Sequence, residues 1–121
     1  MSKKILVVDD SASIRKSISY VLEQEGFEVQ EAEDGMLGVA AVSSNSFDLI
    51  ITDVNMPNLD GIGFIRQART IPECRFIPII VLTTESQQSK MQEGREAGAT
   101  GWIVKPFSAD KLIAVVRKVL G

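Results

Sequence analysis

Phe47-Asp48-Leu49-Ile50-Ile51-Thr52-Asp53-Val54-Asn55-Met56-Pro57 is the stretch whose reading decides the fold. Leu49-Ile50-Ile51 is a short apolar run rich in β-branched residues, the pattern of a strand buried on both faces. The run stops at a carboxylate, Asp53, and Met56-Pro57-Asn58 then forces a loop. A carboxylate at the carboxyl end of a buried strand contributes nothing to packing. In an open parallel sheet that edge is where ligands bind. Asp53 is therefore the candidate reactive group, and the remaining strands are expected to deliver its helpers.

Upstream, Ile5-Leu6-Val7-Val8 reads as a central strand ending in Asp9-Asp10. Ser11 or Ser13 caps the following helix, in which Ile14, Ile18, Val21 and Leu22 share one face and which Gly26 closes. Phe27-Glu28-Val29-Gln30 alternates, as a less buried edge strand does. Asp34-Gly35 reads as a turn, and Met36 to Val42 as a weaker helix closed by Ser43-Ser44-Asn45. Downstream, Gly61 to Thr70 is a helix ended by Pro72. Ile77 to Leu82 is a buried strand, with Pro78 tolerable only near its start, leading into Thr83-Thr84-Glu85. Ser86 to Ala97 is a polar helix in which Gly94 costs about 1 kcal/mol relative to alanine. Trp102-Ile103-Val104 is a short strand ending in Lys105-Pro106. Ser108 caps a last helix with a stripe of Leu112, Val115, Val116 and Val119. Five alternations of strand and helix predict an α/β fold: a doubly wound parallel sheet with helices on both faces and right-handed crossovers. The 121 residues are expected to form one domain, 1–121, with no output domain attached.

Composition narrows the function. The net charge of −3 gives no footprint for nucleic acid and little attraction to anionic lipid. The N-terminus is too short in apolar residues for a signal-peptide core or a membrane span. Cys74 is the single cysteine, so no intrachain disulfide forms, and the cytoplasm is the expected compartment. The chain has no histidine. That excludes Ser-His-Asp and Cys-His sites and histidine-ligated metals, and it assigns any phosphohistidine to a partner.

In this fold class the strand ends share one rim, so Asp9, Asp10, Asp53, Thr83 and Lys105 are expected together. Three carboxylates there repel. At about 4 Å and an effective dielectric near 20, each pair costs on the order of 4 kcal/mol. Lys105 supplies one positive charge against three negative ones. A hard divalent cation suits the remainder, and magnesium takes oxygen ligands from a few carboxylates plus phosphate and water. A carboxylate, magnesium, a lysine and a hydroxyl suit phosphoryl transfer. Asp53 is the nucleophile, magnesium and Lys105 take up charge on the equatorial oxygens, and Thr83 donates to one of them.

The spaced set Asp9-Asp10, Asp53 with Met56-Pro57 and Gly61, Thr83, and Lys105-Pro106-Phe107 resembles the receiver domain of two-component response regulators over the whole chain. Its short loops most resemble the stand-alone chemotaxis regulators. The resemblance implies a flavodoxin-like strand order of 2-1-3-4-5. It implies phosphorylation at Asp53, and a Mg2+ site from Asp10, Asp9 through water, Asp53 and the backbone carbonyl of Asn55. It further implies phosphate contact by Lys105, a switch through Thr83 and Trp102, and tuning of acyl-phosphate hydrolysis by Asn55 and Glu85. Trp102 departs from the commoner tyrosine or phenylalanine, and indole is larger. The implied partners are a histidine kinase as phosphodonor, a target such as a flagellar motor switch protein, and a phosphatase. Nucleic acid and membrane are not among them, and the protein is expected to be monomeric.

Other classes fit less well. A phosphatase with an aspartyl nucleophile usually wants Asp-x-Asp, and Asn55 cannot give the proton. A flavin or nucleotide carrier needs backbone N–H groups facing phosphate, where this first loop opens with two carboxylates. A stand-alone relay or phosphate sink in another pathway is the runner-up to chemotaxis. The expected output face is the helix from Ser86, the Trp102 strand and the last helix, because movement at Thr83 is felt there.

Overall fold

The computed structural model describes residues 2–84 and 89–121. Five strands, β1 (Lys4–Val8), β2 (Glu28–Ala32), β3 (Leu49–Asp53), β4 (Ile79–Thr83) and β5 (Gly101–Val104), alternate with five helices. The helices are α1 (Ala12–Gln24), α2 (Gly35–Ser44), α3 (Gly61–Ala68), α4 (Ser89–Ala97) and α5 (Ala109–Leu120). The sheet is parallel with order β2-β1-β3-β4-β5, as expected.

Successive strand residues point to opposite faces, and each face meets its own helices. Leu6, Val8, Ile50, Ile79 and Val81 pack with Val42, Phe64, Ile65 and Ala97, from α2, α3 and α4. Ile5, Val7, Leu49, Ile51, Ile80 and Leu82 pack with Ile18, Leu22, Leu112 and Val116, from α1 and α5. The three central strands are covered on both sides, which is why they read as unbroken apolar runs. Ser11, Asp60 and Ser108 cap α1, α3 and α5 with their side chains. Among the described residues no helix is long and apolar enough to cross a membrane.

Several boundaries differ from the sequence reading. β2 runs Glu28–Ala32 rather than Phe27 to Gln30, because its ladder with β1 continues to Val8↔Ala32. Phe27 instead donates its N–H to Leu22 O and belongs to the exit from α1. Asp34-Gly35 is not a free turn: Asp34 caps α2, and its other oxygen accepts from Asn58 Nδ2 at 2.7 Å. Asn58 has φ of 69°, so this bond holds a left-handed residue. α3 ends at Ala68, and Arg69 spreads its guanidinium over the carbonyls of Cys74, Ile77 and Gly98. A 3₁₀ turn, Pro72–Cys74, follows and buries Cys74. β4 starts at Ile79, after Pro78, which has no N–H for a ladder. Glu85 and Ser86, the tuning residue and the expected helix start, lie outside the described residues.

Candidate functional site

β1 and β3 are central neighbours, paired through Val8↔Thr52, so Asp9 and Asp53 emerge side by side. β4 flanks β3 with Asp53↔Leu82, and Thr83 follows one residue on. Thr83 pairs with Val104, and Lys105 comes next, its N–H on Thr83 O at 2.6 Å. The register alone thus brings the strand ends to one rim. Asp9 and Asp53 are buried at 0% and 7% exposure, and Asp10 is exposed. Each of the three offers a carboxylate oxygen within 4.8 Å of the others.

Asp53 Oδ1 accepts from Val54 N–H at 2.9 Å and from Lys105 Nζ at 3.1 Å. Both bonds fall on one oxygen. Burial first, and the neighbouring Asp9 charge second, push the Asp53 carboxyl above its ordinary value, while Lys105 and the Val54 N–H pull part of the way back. The anion is held at a cost, and a bound cation or a covalent partner relieves it. Asp9 Oδ1 accepts from Ser11 N–H at 2.9 Å. Asp9 Oδ2 is buried and accepts no hydrogen bond among the described residues. Lys105 Nζ stands 3.5 Å from it, an ion-pair distance without hydrogen-bond geometry. A buried anionic oxygen left over beside two more carboxylates is an all-oxygen donor set. It fits a small hard cation such as magnesium and not a soft metal.

The other expected residues fall around this pocket. Asn55 lies exposed in the loop after β3. Thr83 is fully buried, and its Oγ1 has no partner among the described residues. Trp102 is half-buried on β5 and leans on α4: a Cβ on Gly94 would lie 2.6 Å from its Cη2, and Arg95 sits 5.8 Å from its ring centre.

Two residues contribute through contacts that the sequence reading does not foresee. Gly61 belongs to the spaced set that carries the resemblance, and its N–H bonds Val54 O at 2.7 Å, while a Cβ there would overlap the Asp53 carbonyl. Only glycine lets α3 start this close to the reactive strand. Arg15, which has no place in the sequence reading, donates from Nη1 to Asp9 O at 2.7 Å.

The fold and its acid-lined carboxyl edge place the chain among the flavodoxin-like α/β domains. More narrowly, the model of the response regulator receiver domain family matches residues 5–117, and the chain belongs to that family. Receiver domains are phosphoacceptors of two-component systems. The chain is 35% identical over 117 residues to the chemotaxis protein CheY-3 of Vibrio cholerae, an overlap of 96% of this chain and 90% of that one. The structure of the chemotaxis response regulator CheY4 of Vibrio cholerae matches with a TM-score of 0.94 and 44% identity, over 98% of this chain and 99% of that one. The receiver domain of the sensor histidine kinase PA1611 from Pseudomonas aeruginosa, with a magnesium ion coordinated in its active-site cleft, matches with a TM-score of 0.92 and 28% identity. It covers 100% of this chain and 99% of that one.

Proposed function

We propose that this receiver domain is a phosphorylation-activated switch of chemotaxis, which takes a phosphoryl group from a histidine kinase onto Asp53 and then binds a flagellar motor switch protein. The observation that carries the reading is the Asp53 carboxylate: buried at the end of β3, with one oxygen bonded by Val54 and Lys105, and grouped with Asp9 and Asp10. The two bonds on Oδ1 leave Oδ2 as the attacking atom. Its lone pair forms the new P–O bond as the P–N bond of the donor's phosphohistidine breaks, and the imidazole leaves with that electron pair. The product on the chain is an acyl phosphate.

Asp10, Asp9 through water, Asp53 and the Asn55 carbonyl would hold magnesium, which supplies positive charge against the equatorial phosphoryl oxygens. Lys105 already spans Asp53 and Asp9, so its ammonium is in reach of an added phosphoryl oxygen. Thr83, on the adjacent strand, has a buried hydroxyl without a partner among the described residues, which would donate to that oxygen. The domain catalyses its own transfer and the hydrolysis of its acyl phosphate, and works in the cytoplasm as a monomer. Similarity to two chemotaxis regulators over nearly the full length supports the pathway, and the magnesium in the PA1611 receiver supports the metal.

Acetyl phosphate with magnesium should label Asp53 with an acid-stable, base-labile adduct, and Asp53→Asn should not label. Wild-type labelling in that variant would move the nucleophile elsewhere. A pull-down with and without beryllofluoride and magnesium tests the output. A motor switch protein retained only with beryllofluoride supports chemotaxis, and retention of another pathway's components instead refutes it.

A further inference from the structure

Arg15 lies in the first turn of α1, and its backbone N–H closes onto the cap residue at Ser11 O, 3.0 Å away. An arginine there ordinarily extends into water. This one does not: its side chain is 13% exposed, while the adjacent Lys16 is 72% exposed. The guanidinium forks. Nη1 donates to the backbone carbonyl of Asp9 at 2.7 Å, and Nε donates to Glu31 Oε1 on β2 at 3.1 Å. Glu31 is itself fixed by Lys16 Nζ at 3.2 Å and by the buried Ser19 hydroxyl at 3.0 Å. Burial raises the Glu31 carboxyl, but the bonds from Ser19, Lys16 and Arg15 outweigh it and hold the group below its ordinary value.

The carbonyl of Asp9 and the N–H of Asp10 belong to one peptide plane, which also contains both Cα atoms. Fixing that oxygen therefore fixes the direction in which Asp10 leaves the chain. The preceding plane is fixed as well, because Asp9 N–H donates to Ala32 O at 3.1 Å. Asp9 is thus held at both of its peptide planes. Asp10 is exposed, and no described residue bonds its carboxylate, so its placement rests on the backbone. We propose that Arg15, oriented by Glu31, is a positioning residue that clamps the Asp9–Asp10 peptide and thereby sets the affinity of the acidic site for a divalent cation. This rests on the magnesium reading above.

Charge and position predict opposite signs. Removing a cation near the site should by charge alone tighten magnesium, whereas losing the clamp should weaken it. Isothermal titration with magnesium chloride decides between them, with unfolding curves in chelator to confirm that each variant folds. Arg15→Ala should weaken magnesium about tenfold, the effect of losing an outer-shell partner of a metal ligand. Arg15→Lys should recover part of the loss, since an ammonium lacks the fork that reaches both partners. Glu31→Gln should cost about threefold, below the usual outer-shell range because Arg15 keeps its bond to Asp9. The double variant should match Arg15→Ala alone, because Glu31 acts through Arg15. Unchanged or tighter binding by Arg15→Ala, in a wild type that binds magnesium, overturns the clamp while leaving the metal reading intact. A wild type that binds no magnesium overturns both. Added loss in the double variant overturns the role given to Glu31. Should Arg15→Ala fail to fold, wild-type affinity in Arg15→Lys overturns the proposal.

Discussion

The two halves of the site are built differently. On the β1–β3 side, the loop after Asp9 is bonded at the Asp9 N–H, carbonyl and carboxylate, and Asp53 is bonded at Oδ1. On the β4–β5 side, the Thr83 hydroxyl is buried without a partner among the described residues, and Trp102 rests half-buried in a notch of α4. The first half has its charges in place before any ligand arrives, which is what electrostatic stabilisation requires. The second half contains one hydroxyl without a partner among the described residues and one ring half open to solvent, and the proposed switch would act through these two groups.

The largest expected effect separates roles within the preorganised half. Asp10→Ala should weaken magnesium by more than about tenfold, because it removes an anionic ligand from a hard-cation site. Lys105→Ala should leave magnesium bound, and tighter, since a competing positive charge 3.5 Å from Asp9 is gone. It should also uncouple phosphorylation from output. Titration of both variants checks this, and equal losses would show that the half is not divided into metal and phosphate duties.

Gly94→Ala probes the other half. By helix propensity alone it should stabilise by about 1 kcal/mol. The new Cβ, however, would lie 2.6 Å from the Trp102 ring, and overpacking of that kind costs about 1–3 kcal/mol. The half-buried indole escapes outward, so the net should be a loss on the order of 1 kcal/mol. Trp102 emission should move to the red. A stabilised variant with unchanged emission would mean that the ring does not depend on this seat.

Gly94 also marks where the sequence stops being readable. Read along the chain it is only a helix defect; its use depends on Trp102, which another strand brings to it. The same holds for Gly61, whose lack of a side chain matters to a carbonyl on β3, and for Arg15, which looks like any charge on an amphipathic helix. What was legible shares one property: the signal is local. Ile5 to Val8, Leu49 to Thr52 and Ile79 to Leu82 are buried on both faces, so their apolar runs end visibly in Asp9, Asp53 and Thr83. The edge strand β2 is half-solvated, so its pattern is diluted by Gln30 and Glu31, and its end at Ala32 was missed. The 3₁₀ turn at Pro72–Cys74 is too short to have a period.

Asp53→Asn gives a smaller effect, read in stability. The folded carboxyl lies above its ordinary 3.8, so the folded state binds this proton more tightly than the unfolded chain does. Its contribution to stability is full below 3.8 and is lost as pH rises through the folded value. At neutral pH and without metal, wild type therefore carries a penalty that the amide lacks. Asp53→Asn should melt at a higher temperature at pH 7 in chelator, and the gap should close as the pH approaches 4. Magnesium should narrow the gap at pH 7, because it stabilises the state it binds. A variant less stable than wild type under all these conditions would mean that the Lys105 bond outweighs burial and the Asp9 charge.

The smallest expected effect joins the two halves through Thr83→Val. A buried hydroxyl without a partner forfeits about 1–3 kcal/mol of desolvation, and valine fills the same shape with a methyl group. Where the hydroxyl is unspent, the exchange should stabilise the resting, metal-free protein by about 1 kcal/mol in urea unfolding. On the proposed function, the acceptor of this hydroxyl arrives with the phosphoryl group on Asp53, through a charge-assisted hydrogen bond. Beryllofluoride with magnesium should thus shift wild-type Trp102 emission to the blue as the indole follows Thr83 inward, with much less shift for magnesium alone. Thr83→Val should bind beryllofluoride and shift less, since a ligand moves an equilibrium only by its differential affinity for the two states. Destabilisation by valine would mean that the hydroxyl already has a partner in the resting state. Equal shifts in the two proteins would mean that the signal bypasses Thr83 and reaches Trp102 through α4 and the Gly94 seat.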